Sequence, residues 1–159
     1  MKPEGAAVLS RKGEDRVLRG HPWVFRSDVA RVSKASDGAV LRVEGNRGRV
    51  LGFALYSSRS EIRLRMIERG EALADSWLRD RLEAAIRWRE TVAAGASACR
   101  LVHGEGDGLP SLVVDRYGDY LVIQTLSQGT ERLKSEIVAA LVERLQPKGI
   151  LERNDPRVR

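Results

Sequence analysis

Short strand-like segments separated by glycine turns restrict the first part of this chain to a small β-rich arrangement. Residues 41–44 (LRVE) and 62–66 (IRLRM) alternate apolar and charged side chains, which is the period of a strand with one buried face. Residues 45–48 (GNRG) are a turn signal, and residues 50–56 continue as the next strand. A short helix is predicted over residues 13–20, because Gly20 can end it and Pro22 prevents its continuation. This spacing favours a small barrel or sandwich.

The second part of the chain mixes helices with strands. An apolar stripe over residues 75–94 predicts a helix that links two domains, with Gly95 at its end. Residues 112–114 and 120–126 flank Gly118-Asp119, which predicts an antiparallel hairpin. Apolar residues at four-residue spacing predict a second helix over residues 130–145, and a strand begins at Ile150. The fold class is therefore α+β, a β-barrel followed by a small α/β domain with packed helices.

Length and composition allow one ordinary domain or two small ones. The chain has 159 residues, of which 42% are hydrophobic and 31% charged, so it can build a core. The longest clearly apolar run, residues 137–142, is far too short to span a membrane. The one cysteine, Cys99, excludes an internal disulfide framework and fits a reducing cytoplasm.

Positive charge is concentrated in the first part of the chain. Residues 1–70 hold 15 Lys and Arg against 8 Asp and Glu, whereas residues 71–159 hold 13 against 14. Of the 28 basic residues 23 are Arg, whose planar fork fits phosphate oxygens and stacks on bases. An Arg-rich genome would explain the Arg/Lys ratio equally well. It does not explain the asymmetry, which favours a polyanionic partner for the first part.

A basic and aromatic cluster lies within residues 11–26. It combines cations, the flexible Gly20 and the rings of His21, Trp23 and Phe25. RNA-binding surfaces often combine these types, because cations hold phosphates, rings stack on unpaired bases and glycine allows close backbone approach. For Trp23 and Phe25 we favour a core position. A second basic set is Arg59, Arg63 and Arg65, on or before a strand.

A glycine-rich loop at residues 103–110 (HGEGDGLP) invites comparison with nucleotide-binding loops. A phosphate loop needs a following helix, and here a strand follows, while Glu105 and Asp107 would repel phosphate. We therefore interpret it as a structural loop. A metal site built from His103, Glu105, Asp107 and Asp115 matches no strong spacing pattern. Cys99 is interpreted as a small packing residue rather than a nucleophile.

Several motifs together resemble one family. Residues 9–14 (LSRKGE), 18–25 (LRGHPWVF), 52–57 (GFALYS) and 60–65 (SEIRLR) resemble a PUA domain, a small RNA-binding barrel. Residues 105–119 (EGDGLPSLVVDRYGD) resemble the central α/β domain of bacterial S-adenosylmethionine-dependent methyltransferases that make 5-methylcytosine in 23S ribosomal RNA. The ending, residues 152–155 (ERND) with Val158 and Arg159, resembles the segment that precedes the catalytic domain of that family.

The resemblance implies a division of the chain and a role for it. Residues 1–70 would be the PUA-like domain, residues 71–98 the linking helix and residues 99–159 the central domain. In the family, a further Rossmann-like domain binds S-adenosylmethionine and supplies the attacking cysteine. That domain would be absent here, so we expect no cofactor in this chain and carry no catalytic role to Cys99. A chain that stops where a helix starts, at Asp155-Pro156, suggests truncation.

The expected function is to bind RNA and position it for cytosine-5 methylation in the cytoplasm. The expected partner is structured RNA, as in large-subunit rRNA, with no membrane; a separate catalytic domain or a second copy of the chain are further candidate partners. The residues expected to contact RNA are cations and their neighbours: Lys12, Arg16, Arg19, Gly20, His21, Arg26, Arg59 and Arg63.

Three alternatives remain open at this stage. The first is a stand-alone PUA-type module that binds RNA or protein without any role in methylation. The second is a self-contained enzyme that uses the region of His103, Asp107 and Asp115. The third is an interaction domain whose positive surface serves solubility alone.

Overall fold

A computed structural model describes residues 2–154 and divides the chain into two units between Asp75 and Ser76. The first unit is built on one six-stranded sheet. Its strands, in chain order, are β1 (Gly5–Leu9), β2 (Trp23–Phe25), β3 (Val29–Val32), β4 (Val40–Glu44), β5 (Val50–Tyr56) and β6 (Ile62–Arg69). The spatial order is β2-β6-β5-β4-β1-β3, so β2 and β3 lie at the edges. The sheet is curled into a half-barrel. The expected barrel is thus present in open form.

One parallel pairing sets the topology of this sheet. Strand β1 pairs in parallel with β4, while every other pairing described in the first unit is antiparallel. The core of this unit is made largely of small and branched side chains from several strands. Its fully buried members include Ala7, Leu9, Val24, Leu41, Val43 and Leu64.

Helix α1 (Arg11–Leu18) follows β1 directly and packs on this core through Val17. The Ser10 side chain caps the helix by accepting a hydrogen bond from the Gly13 amide at 3.2 Å, which satisfies one of the free amides of the first turn. The helix exposes most of its other side chains, because only Gly13 and Val17 are buried. A short helix that buries one edge in this way presents its cations to solvent.

The second unit is a four-stranded sheet covered by helices. Its strands are β7 (Ala98–His103), β8 (Leu112–Tyr117), β9 (Tyr120–Thr125) and β10 (Gly149–Glu152), in the order β10-β9-β8-β7. Strands β8 and β9 form the antiparallel hairpin expected around Gly118, and β10 joins β9 in parallel. Its helices are α2 (Trp77–Val92), α3 (Gln128–Arg132) and α4 (Lys134–Leu145).

Two helices differ from the expectations in detail. The sequence predicts a linking helix, but α2 belongs to the second unit. The helix packs on β7 and α4 and buries its apolar stripe, which includes Leu78, Leu82 and Ile86. The single helix predicted over residues 130–145 is two helices with a break at Leu133. A capping box between Ser127 and Thr130 starts the first of them. In residues 2–154, none of the helices has the length and apolar character needed to cross a membrane.

Gly52 gives a test of the curled sheet. Its φ is +149°, and a Cβ atom there would lie 2.1 Å from the Glu68 carbonyl oxygen of β6. We expect Gly52→Ala to lower the free energy of unfolding by about 3 kcal/mol, because strain and a backbone clash combine. Gly48→Ala, at φ +80° with open space around it, is the control and should cost about 1–2 kcal/mol. Urea denaturation measures both, and equal losses would contradict the close contact between β5 and β6.

Candidate RNA-binding surface

The exposed side of α1 and the turn after it form an open pocket of about 880 Å³. Four cations line it against one carboxylate, Asp15, so its charge is clearly positive. Gly20 makes the turn possible with a φ of +91°, a conformation that costs glycine little. The lining residues are Arg11, Lys12, Asp15, Arg16, Arg19, Gly20, His21 and Pro22. Five of the eight residues predicted to contact RNA therefore lie together.

Arg69, the last residue of β6, holds the turn in place. Its guanidinium donates to the carbonyl oxygens of Val17 at 2.8 Å, Gly20 at 2.7 Å and His21 at 3.4 Å. A cation at the carboxyl end of a helix also compensates the helix dipole. Sequence reasoning did not identify Arg69, because it lies about fifty residues from its partners and no local pattern reports such a contact.

Arg16, which lines the pocket, contacts two other side chains. Its Nε donates to the carboxylate of Asp28 at 2.8 Å, and its guanidinium lies 4.9 Å from the centre of the Phe25 ring. The Asp28 side chain is only 1% exposed, whereas that of Arg16 is 28% exposed. Asp28 is thus a buried charge, and among the described residues its one ion-pair partner is Arg16. The ion pair holds the Arg16 guanidinium in the position where it lines the pocket.

In the second unit, the glycine-rich loop is a structural element. Asp107 accepts two hydrogen bonds from Arg89 of α2, at 2.6 and 2.8 Å, and one from the His103 amide at 2.6 Å. Arg81 of the same helix donates to the Gly108 carbonyl oxygen at 2.9 Å. The carboxylate that a metal would need is therefore already bound by a guanidinium. No cluster of potential metal ligands occurs within residues 2–154.

Comparison with known proteins agrees with this geometry. The sequence matches the PUA-like domain family over residues 7–69, the part that contains the half-barrel, α1 and the pocket. Residues 7–69 are a PUA-like domain.

The similarity to known proteins extends beyond the PUA-like domain. The chain is 37% identical over 157 residues to the ribosomal RNA large subunit methyltransferase I of Klebsiella pneumoniae and 38% identical to that of Shigella boydii. Each alignment covers 96% of this chain, but only 39% of the Klebsiella protein and 40% of the Shigella protein. The chain is homologous to the N-terminal region of these methyltransferases and spans about 40% of their length.

Solved structures share the fold. A protein from Streptococcus mutans assigned as a SAM-dependent methyltransferase superposes with a TM-score of 0.80 at 19% identity, over 94% of this chain and 40% of its own. A second, assigned as a methyltransferase and complexed with SAH, gives 0.81 at 20% identity, over 97% of this chain and 41% of its own. At this level of identity, the likeness concerns the fold alone.

The remaining predicted contacts of the PUA-like domain lie outside the pocket lining. Arg26 forms an exposed ion pair with Glu61, with Nε 3.4 Å from the carboxylate. Arg59 is exposed in the loop after β5. Arg63 donates to the Ser58 carbonyl oxygen and lies 5.6 Å from the centre of the Tyr56 ring. Its neighbour Arg65 is 9% exposed. The set Arg59, Arg63 and Arg65 is thus largely engaged within the domain.

The aromatic residues of β2 lie differently from the core position favoured by the sequence. Val24 is fully buried and belongs to the core, whereas Trp23 and Phe25 point to the opposite face and are half-buried. The reason is strand alternation, which permits only one of the two faces of β2 to enter the core. The His21 ring lies 6.0 Å from that of Trp23 and 6.2 Å from that of Phe25, so the three rings form a cluster beside the pocket.

The buried ion pair gives a stability prediction. Arg16→Ala removes the partner of a buried carboxylate, so we expect the free energy of unfolding to fall by about 2 kcal/mol. Arg19→Ala, an exposed cation of the same helix region, should change it by less than about 0.5 kcal/mol. Thermal or urea denaturation compares the two. Equal stability of both variants would mean that Asp28 does not depend on Arg16.

The loop of the second unit gives a matching prediction. Asp107→Ala should lower the free energy of unfolding by about 2 kcal/mol, because Arg89 and the His103 amide lose their acceptor in a partly buried site. Glu143→Ala breaks an exposed ion pair with Arg79 and should cost less than about 0.5 kcal/mol. Addition of Zn²⁺ should leave the melting temperature of the wild-type chain unchanged. A clear rise on stoichiometric Zn²⁺ would contradict the structural role of this loop.

Proposed function

We propose that this chain binds RNA through the pocket of α1 and positions it for an rRNA methyltransferase. The observation that carries the proposal is the pocket itself, in which Lys12, Arg16 and Arg19 meet the Gly20 turn. Arg and Lys are the side chains that hold phosphate oxygens, and an open glycine turn lets a nucleic-acid backbone approach closely. The clamp of Arg69 and the ion pair with Asp28 keep this arrangement rigid before any ligand arrives, which lowers the entropy lost on binding.

The pocket residues have separate roles in this proposal. Lys12 and Arg19 are exposed and contact phosphates directly, while Arg16 contributes one edge of a guanidinium that Asp28 already orients. His21 and Gly20 also line the pocket. Arg26, Arg59 and Arg63 widen the positive field around the site rather than lining it. Such contacts fix the register of the RNA and carry little sequence information.

The names of the relatives support a choice of RNA. The chain matches about 40% of the length of ribosomal RNA large subunit methyltransferases, so we propose large-subunit rRNA as the partner. Cytosine C5 as the atom to be methylated rests on the motif resemblance of residues 105–119. The residues described here supply binding and placement, and S-adenosylmethionine would be held by a catalytic domain outside residues 2–154. The chain itself should therefore not bind that cofactor.

The proposal is tested by titrating fluorescent rRNA fragments at several salt concentrations. Lys12→Ala and Arg19→Ala should each weaken binding and lower the slope of log affinity against log salt by roughly 1, because each removes one phosphate contact. Arg31→Ala is the control: Arg31 is exposed on β3 and does not line the pocket, so its slope should stay unchanged.

Other outcomes of this titration point elsewhere. If both pocket variants bind RNA like the wild type, the pocket is not the RNA site. If the wild-type chain fails to bind RNA even at low salt, the chain is better explained as a protein-interaction module. Tight binding of S-adenosylmethionine, measured by calorimetry in parallel, would contradict the separation of binding from catalysis.

A further inference from the structure

The sheet of the second unit has one open face. Its other face is buried under helices, with Leu112, Val114, Leu121 and Ile123 each at most 2% exposed. Side chains of the open face alternate with these along the strands. The exposed members are Tyr117, Tyr120 and Leu151, with 57%, 56% and 63% of their surface accessible. Val113, Val122 and Gln124 on the same face are half-buried. Large side chains in such numbers on one face indicate a binding surface.

Two tyrosines dominate this face. Tyr117 ends β8 and Tyr120 begins β9, and the two are direct partners across the hairpin. On the next strand Gly149 lies opposite Tyr120, and a Cβ at Gly149 would lie 3.3 Å from Cδ1 of the Tyr120 ring. The ring therefore lies close to Gly149, which has no side chain to obstruct it. With 56% of its surface accessible, Tyr120 can still contact a ligand.

The charges on and beside this face do not repel an anion. Asp115 is held by Arg100, with contacts of 2.8 and 3.2 Å. Asp119, in the hairpin turn, lies 2.7 Å from the Lys148 ammonium. The hydrogen bond from Lys148 lowers the pKa of Asp119, which is the sign of a carboxylate compensated by its cation. The acidic residues Asp80, Glu83, Glu90, Glu136 and Glu143 lie instead on α2 and α4.

We propose that this open face binds unpaired RNA bases, which stack on Tyr117 and Tyr120. Aromatic side chains on an exposed sheet are the usual platform for single-stranded RNA, because every base has a flat face that can stack on a ring. The apolar side chains of Val122 and Leu151 extend the platform across β9 and β10. Gln124 adds an amide that can donate to and accept from base edges. This inference rests on the proposed RNA-binding function and adds a second contact surface to it.

The experiment uses the whole chain and an unstructured RNA of about eight nucleotides, a length within the site size of single-strand binders. Tyr117→Ala and Tyr120→Ala should each weaken binding roughly tenfold, since each loses a stacked base. Tyr120→Phe keeps the ring and should bind like the wild type. Trp88→Ala is the matched aromatic control, because Trp88 is 60% exposed on α2, and it should leave affinity unchanged. A duplex of the same sequence should bind equally well to all four variants.

A second measurement does not depend on the variants. In the wild-type chain with ¹³C-labelled tyrosine, single-stranded RNA should shift the ring signals of Tyr117 and Tyr120. If the ring signals stay in place and the alanine variants bind RNA normally while Lys12→Ala and Arg19→Ala do not, this proposal fails and the proposed function stands. If the wild-type chain binds no RNA, both fail. If the tyrosine variants abolish self-association in sedimentation but keep RNA affinity, the face joins copies of the chain and the proposal is overturned.

Discussion

Asp28 is the constraint on which the arrangement of the first unit depends. Its side chain is buried, its carboxylate accepts from Arg16, and its carbonyl oxygen accepts from the Ser10 amide at 2.9 Å. Helix α1 approaches so closely that a Cβ at Gly13 would lie 2.4 Å from that carbonyl oxygen. A buried carboxylate without its cation is costly, so the helix that carries the pocket is fixed by the same residue that orients one of its cations.

The cations of this chain fall into two groups, those that bond within the protein and those that are exposed. Hydrogen bonds to internal carboxylate or carbonyl oxygens are donated by Arg16, Arg63, Arg65 and Arg69. A guanidinium suits this role because it holds several donors in a fixed geometry. Exposed cations such as Lys12 and Arg19 have no such role. Net charge therefore overstates the surface available to a polyanion, and the structure shows which cations a binding experiment should address.

Local patterns predicted the elements of this fold better than their assembly. The alternation in residues 41–44 and 62–66 and the turns near Gly48 and Gly118 report contacts between residues close in sequence, and the structure contains those strands and hairpins. The parallel pairing of β1 with β4 and the clamp of Arg69 on the Gly20 turn join distant segments. No periodicity encodes such contacts, and strand alternation alone could not decide which face of β2 enters the core. The cations of the pocket were predictable as a group because they cluster within residues 11–19 of the sequence.

The two proposed surfaces make contacts of different physical kinds. Phosphate contacts at the pocket depend strongly on salt and are blind to base identity. Stacking on Tyr117 and Tyr120 depends on whether a base is unpaired, because a paired base already has neighbours on both sides. A protein that must find one nucleotide in a folded rRNA gains affinity from the first kind of contact and discrimination from the second. Duplex RNA would satisfy the pocket but leave the tyrosines without bases, so the salt-dependent contacts of the pocket should account for duplex binding and the tyrosines should add affinity for unpaired segments alone.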